Sequence, residues 1–333
     1  MKGFKIYAND LGIDLGTDQT LIADRHGKII IDEPSIVALD INTYEVLAVG
    51  REAKNMIGKT PANIVAVSPI ENGVIADFEI TLAMLSYFLQ KAVGGYSLFQ
   101  PKVTVTCPLA LTDVERRSVE DVCLHAGARD AHLIEENIAS ALGADLEIMA
   151  PKGHLLCNIG AGRLETSIVS LGGIITGQSL PIGGEYIDRQ IQEIIKRQHN
   201  LLLGKDSCER IKKELATLDP KKLSRKMDVT GRNLVKGMPE IIEVHGEEIR
   251  EPILQLAEDA VKSIRKVLEM IPPEISKDIL EEGILFVGGV SQLDGLKEYI
   301  QERIKLPVQD FEDPLTITGR GIGLRVNIKK SGR

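Results

Sequence analysis

Two short stretches of this chain repeat one pattern, and that repeat limits the possible folds more than any other feature. Residues 12–20, GIDLGTDQT, and residues 156–165, LCNIGAGRLE, each run strand, acidic or amide residue, apolar residue, glycine turn and next strand. Asp14 in the first corresponds to Asn158 in the second, nearly half the chain away. Such a repeat predicts two halves of similar build whose glycine turns face each other across a cleft. Backbone N–H groups gathered at such turns concentrate positive potential, so a facing pair would clamp phosphate. A third turn, at Gly288-Gly289, follows the strand-like GILFV run of residues 283–287.

The remaining pattern agrees with an α/β chain in two halves. Its 333 residues suit two domains of ordinary size. Strands are expected within 5–16 and 21–31, and at 102–108, 155–159, 165–170, 173–178 and 283–289. Helices are expected over 81–93, from the capping-box pair Thr112 and Glu115 to Gly127, in the NIASALG run, and at about 185–198, 206–217 and 249–270. This alternation predicts a mixed sheet in each half. Residues 219–248, rich in Lys, Pro and Gly, read as an irregular insertion.

Composition excludes several classes. A chain that is 43% hydrophobic and 26% charged is an ordinary globular one, and a net charge of -8 leaves no basic footprint for nucleic acid. The cysteines (Cys107, Cys123, Cys157 and Cys208) form no CxxC pair and read as buried free thiols in a reducing compartment. The six histidines make no zinc-type cluster. No apolar run reaches the roughly 18 residues of a membrane helix. The start, MKGFKIYAND, lacks the apolar core of a signal peptide, so a cytoplasmic protein is expected.

Residue by residue, Asp14 is the natural magnesium partner at the first turn, because nucleotide-bound Mg²⁺ takes one or two carboxylates beside phosphates and waters. Capping of its own turn is the alternative. Glu135 and Glu136 stand where a helix begins; they could cap it or orient a water toward a terminal phosphate, and capping is the simpler reading. Glu209, Lys212 and Lys213 share roughly one helix face in CERIKKELA. That face could hold a nucleoside or be a solvated, ion-paired surface.

The stretches IDLGTDQTL, VGREAKNMIGKTPANIVAVSPIENGVIADF, AGARDAHLIEENIASALGADL, SLGGIITGQSLPIGGEYID and PPEISKDILEEGILFVGG make the chain, from about residue 10 to 326, resemble the MreB-type bacterial actins. The resemblance implies the actin and heat-shock-chaperone ATPase fold, with ATP and Mg²⁺ between two α/β domains. These would be residues 1–150, with a smaller subdomain at about 35–75, and residues 151–333, with one at about 182–255 and a C-terminal segment packing back on the first domain. By the same resemblance Asp14 holds Mg²⁺ through water, the turn of Gly16, Thr17, Asp18, Gln19 and Thr20 binds the β- and γ-phosphates, and Gly160, Ala161, Gly162 and Arg163 form the second phosphate turn. Glu136 falls at the position of the water-activating glutamate. Glu209, Lys212 and Glu214 approach the nucleoside, and Gly288 and Gly289 pack against adenine. The family assembles into paired protofilaments on the inner face of the cytoplasmic membrane and guides cell-wall synthesis. Leu98 and Phe99 would enter lipid; burying both contributes only a few kcal/mol, which a filament multiplies.

The chain departs from the family pattern where the chemistry lies. The second turn usually reads Asp-Ile-Gly-Gly-Gly-Thr; here Asn158 replaces the carboxylate and Arg163 the small hydroxyl. The first turn usually reads Gly-Thr-Ala-Asn-Thr and here carries Asp18 and Gln19, while Asn137 replaces a proline and Val290 a glycine. At about 5 Å and an effective dielectric of about 20, the charge lost at Asn158 is worth on the order of several kcal/mol. Arg163 is expected either to pair with Glu136 and disable it or to reach the γ-phosphate as a stabilising arginine. Nucleotide binding with slowed ATP hydrolysis is the expectation. A non-hydrolysing scaffold, or a chaperone- or kinase-type ATPase of the same fold, is the alternative.

Overall fold

The computed structural model describes residues 10–94, 100–309, 311 and 313–326. Leu98 and Phe99, the expected membrane loop, lie outside the described residues.

The sequence repeat is a repeat of structure. Strand Leu11–Leu15 pairs antiparallel with Gln19–Asp24, which pairs antiparallel with Ile29–Pro34. On its other side Leu11–Leu15 takes Lys102–Cys107 in parallel, and that strand takes Asp130–Glu135 in parallel. The second half follows the same order: Gly173–Leu180, Leu164–Ser170, His154–Ile159, Ile284–Val287 and Val308–Gln309, with the same two kinds of pairing in the same places. Leu15 faces Thr20 and Ile159 faces Leu164, so the hairpins enclose residues 16–19 and 160–163. Each turn closes with the same bond: Gly16 N–H to the Gln19 carbonyl at 3.1 Å, and Gly160 N–H to the Arg163 carbonyl at 2.9 Å.

Helices cover the sheets, which is why the strands at the centre of the second sheet, His154–Ile159 and Leu164–Ser170, are buried along their whole length. Ile253, Leu256 and Ile264 of helix Arg250–Leu268 pack into that core, and Met84, Leu85 and Phe88 of helix Phe78–Val93 into the first. The Thr112–Glu115 capping box is formed. Helix Phe78–Val93 begins earlier than its apolar spacing suggests, because Asp77 caps it. All four cysteines are buried and free. Among the described residues no helix is long and apolar enough to cross a membrane.

One expectation is overturned. Residues 219–248 hold strands Lys226–Asn233 and Pro239–His245, antiparallel to each other, with Leu201–Leu202 at the edge. Val229 and Val244 are buried while Met238 and Ile241 are exposed, so the sheet has one wet face and few apolar residues to reveal its period. A second three-stranded sheet, of Val37–Asp40, Val46–Val49 and Ile64–Val67, lies beside helix Arg51–Met56. The helix Ile317–Arg325 returns to the first half, where it crosses helix Glu136–Gly143 and strand Leu11–Leu15.

Candidate functional site

The two matched turns meet at a third element. A Cβ on Gly162 would lie 2.6 Å from Thr17 Oγ1 and 2.7 Å from the Asn72 Cα, so no side chain fits there. Asn72 (φ 49°) and Gly73 (φ 74°) form the left-handed pair of a tight hairpin between Ile70–Glu71 and Val74–Ile75. Gly73 N–H donates to Thr17 Oγ1 at 2.9 Å. The third glycine turn joins them: a Cβ on Gly288 (φ 86°) would meet Asn158 Oδ1 at 2.5 Å. Around Gly184, a Cβ would find Lys212 Nζ at 3.2 Å, Val290 at 3.3 Å and the Ala161 Cα at 3.7 Å. The second turn, the third turn and the Lys205–Leu215 helix therefore converge on one place.

Asp14 does not cap its own turn. The Thr106 hydroxyl, on the neighbouring parallel strand, donates to Asp14 Oδ1 at 2.7 Å while accepting Leu15 N–H at 3.3 Å. Burial outweighs that bond and pushes the Asp14 carboxyl up to about 6. Glu135 stands at the N-cap of its helix without a side-chain cap bond, and Glu136 is the acidic residue of the first turn. Glu135 pairs with Arg116 at 3.2 Å. Glu136 takes a bond from Asn158 Nδ2 on Oε2 at 3.1 Å. Burial, then the charges of Glu165 and Asp14, push the Glu136 carboxyl well above its ordinary range.

The bond from Asn158 gives the amide at the second turn a physical reason. A carboxylate there would face Glu136 directly, whereas the amide donates to it. Of the two places expected for Arg163, the pairing with Glu136 is not what the structure holds. Arg163 Nε donates to the Asn72 carbonyl and Nη1 to Ser179 Oγ, the latter at 2.9 Å. Among the described residues Arg163 forms no ion pair with Glu136.

Other expected residues are braced by protein partners. Gln19 Nε2 donates to Asp32, Thr20 Oγ1 lies 2.8 Å from Ser35 Oγ, and Ser35 donates to the Gly16 carbonyl at 2.7 Å; these side chains support the first turn from behind. Asp18 is exposed, and its charge acts on Asp188 and Glu185 across the cleft. Lys212 is held by Asp188 at 2.6 Å and by the Gly184 carbonyl at 3.1 Å. Glu209 pairs with Lys213 at 2.6 Å and, across the cleft, with Lys54 at 3.5 Å. Burial works against its charge, but the Lys213 bond and the Lys54, Lys213 and Lys212 charges hold its carboxyl below the usual value. Glu214 is exposed, and a Cβ on Gly289 would lie 3.1 Å from Leu315 Cδ2.

Sequence reasoning passed over Thr106, Asn72, Ser179 and Glu165. Asn72-Gly73 between apolar residues carries a hairpin signal, and Glu165 is a charge inside a strand-like run. For Thr106 and Ser179 no local signal exists. Among the described residues no group of three or more His, Cys, Asp or Glu could hold a metal by itself. A cation at Asp14 would need oxygens from a ligand and water, a hard-oxygen arrangement that fits Mg²⁺ on phosphate.

Known proteins resemble the chain over nearly its whole length. The family described as MreB/Mbl protein matches residues 8–331. The chain is 38% identical over 322 residues to the cell shape-determining protein Mbl of Bacillus subtilis (strain 168), covering 97% of each. It is 38% identical over 330 residues to the cell shape-determining protein MreB of Escherichia coli (strain K12), covering 97% of this chain and 95% of that one. Among solved structures it resembles MreB5 of Spiroplasma citri bound to ADP, with a TM-score of 0.87 and 30% identity over 95% of both chains. The duplicated sheets are thus those of the actin-like ATPase fold, and the chain belongs to the MreB/Mbl family.

Proposed function

We propose that this protein is a nucleotide-dependent bacterial actin. It binds ATP with Mg²⁺ between domains of residues 1–150 and 151–333, and assembles into paired protofilaments on the inner face of the cytoplasmic membrane. There it serves as a scaffold for cell-shape determination and cell-wall synthesis. The observation that carries the reading is the meeting of two matched glycine turns at Gly162 and Thr17, which brings the two halves into direct contact there. Support comes from the relatives that determine cell shape and from the ADP held by the Spiroplasma protein. When bound, Mg²⁺ would draw charge from the phosphates, with Asp14 as its protein partner.

Hydrolysis in this protein is slow. A glutamate that activates water needs a free oxygen to accept its proton, and Asn158 Nδ2 donates to Glu136 Oε2 at 3.1 Å. Electron microscopy on anionic lipid, with and without Mg²⁺-ATP, tests the assembly: paired filaments on lipid are expected, and monomers in every nucleotide state would refute it. Phosphate release tests the chemistry. The double variant N158D/R163T, which restores the family pattern, is expected to release phosphate at least about tenfold faster; an unchanged rate would show that these positions do not limit hydrolysis.

A further inference from the structure

Strand Leu164–Ser170 is buried throughout, yet its second residue is a glutamate that is 1% exposed. Glu165 Oε1 accepts Leu109 N–H at 3.0 Å and the Ser179 hydroxyl at 2.6 Å. Oε2 is buried and has no donor among the described residues. An incompletely compensated buried carboxylate is destabilising, so its presence needs a reason. The Ser179 hydroxyl has one proton, and Glu165 takes it. Ser179 Oγ is left with lone pairs for its other neighbour, Arg163 Nη1 at 2.9 Å. Arg163 Nε then donates to the Asn72 carbonyl. This chain of bonds starts in the first half at Leu109, runs through Glu165, Ser179 and Arg163 of the second, and ends in the first half at the Asn72-Gly73 tip.

We propose that Glu165 is a positioning residue: by orienting Ser179 it seats the Arg163 guanidinium on the Asn72 carbonyl, which clasps the hairpin tip over the second turn and keeps that cation off Glu136. Arg163 is already close enough for its charge to act on Glu136. An unseated guanidinium would collapse onto that carboxylate and neutralise it. The consequence for hydrolysis rests on reading the cleft as a nucleotide site; the clasp itself does not.

The test is hydrogen–deuterium exchange over residues 68–78 of the full chain, with phosphate release and the affinity for a fluorescent ATP analogue measured alongside. Glu165→Ala is expected to raise exchange at the hairpin tip at least about tenfold. It should also lower turnover at least about tenfold, with affinity held within about threefold. Glu165→Gln, whose amide oxygen can still accept from Leu109 and Ser179, is expected to recover most of both losses. Arg163→Thr should raise tip exchange as much, and E165A should add nothing in that background, because residues acting through one another are not additive. Additive effects, or an E165Q as damaging as E165A, would overturn the proposal in favour of a packing role. Should E165A lose cooperative thermal unfolding, Ser179→Ala decides: it removes the acceptor of Arg163, leaves Glu165 its Leu109 donor, and must raise tip exchange likewise; an unchanged tip overturns the proposal. If the parent protein fails to bind the ATP analogue, the nucleotide reading falls, while the exchange results judge the clasp independently.

Discussion

Asn158 donates its amide to Glu136 at 3.1 Å, in a place where a second carboxylate would repel it. The same crowding raises Glu136 well above the usual 4.5, with burial as the main cause. The sign of the effect on stability follows from linkage. The folded state holds this proton more firmly than the unfolded chain does, so between pH 4.5 and the raised value stability falls as pH rises. Glu136→Gln removes that penalty. Thermal unfolding is expected to show a Tm at least about 2 °C above the parent's at pH 8, with the difference closing toward pH 4. Phosphate release by the same variant should fall at least about 100-fold. At this scale the two glycine turns were legible in the sequence, because a local motif marks them, whereas Glu136 was singled out only by the family resemblance. The seat of Arg163 was not, since Asn72 stands 91 positions away and only folding brings it near.

Between elements, helices Glu136–Gly143 and Ile317–Arg325 approach too closely for side chains at the crossing. A Cβ on Gly143 would fall 1.8 Å from the Ile317 carbonyl oxygen, and one on Gly321 would fall 1.8 Å from the Ala139 carbonyl oxygen. Both obstacles are backbone, which cannot rotate away. Gly321→Ala is therefore expected to destabilise the protein by about 3 kcal/mol, by overpacking, as read from the midpoint of denaturant unfolding. A loss under about 0.5 kcal/mol would mean that the helices can part freely. This contact also fixes the helix that bears Glu136, so the C-terminal helix supports the site from behind. Helices with strong apolar period were legible, as was the Thr112 cap. The sheet of Lys226–Asn233 and Pro239–His245 was hidden because Gly231 and Asn233 stand on its inner face and the apolar Ile241 on its outer one, which blurs the apolar alternation.

Across the whole molecule, the two halves touch at the cleft floor through Arg163 and Asn72 and again through Lys54 and Glu209 at 3.5 Å. The second pair is partly exposed and worth about 1 kcal/mol or less, so it steers closure without enforcing it. Assembly belongs to this scale as well. If Leu98 and Phe99 hold the filament to lipid, the L98A/F99A variant should still form filaments in solution, while its cosedimentation with anionic vesicles falls at least about tenfold. Each subunit would lose a few kcal/mol of apolar burial, and the loss recurs along the filament. Retained vesicle binding would place the lipid contact elsewhere.

The duplicated plan and its glycine turns were legible in the chain itself, because glycine turns and apolar period are local properties that a sequence records directly; the family was legible through the long stretches that resemble it. The fate of the substituted residues was decided by tertiary structure. Whether Arg163 pairs with Glu136 or with Asn72 depends on which oxygens the packed halves bring within about 3 Å of it. The same packing gives the buried Glu165 its partners, drawn from Leu109 and Ser179, and no local pattern around residue 165 names them.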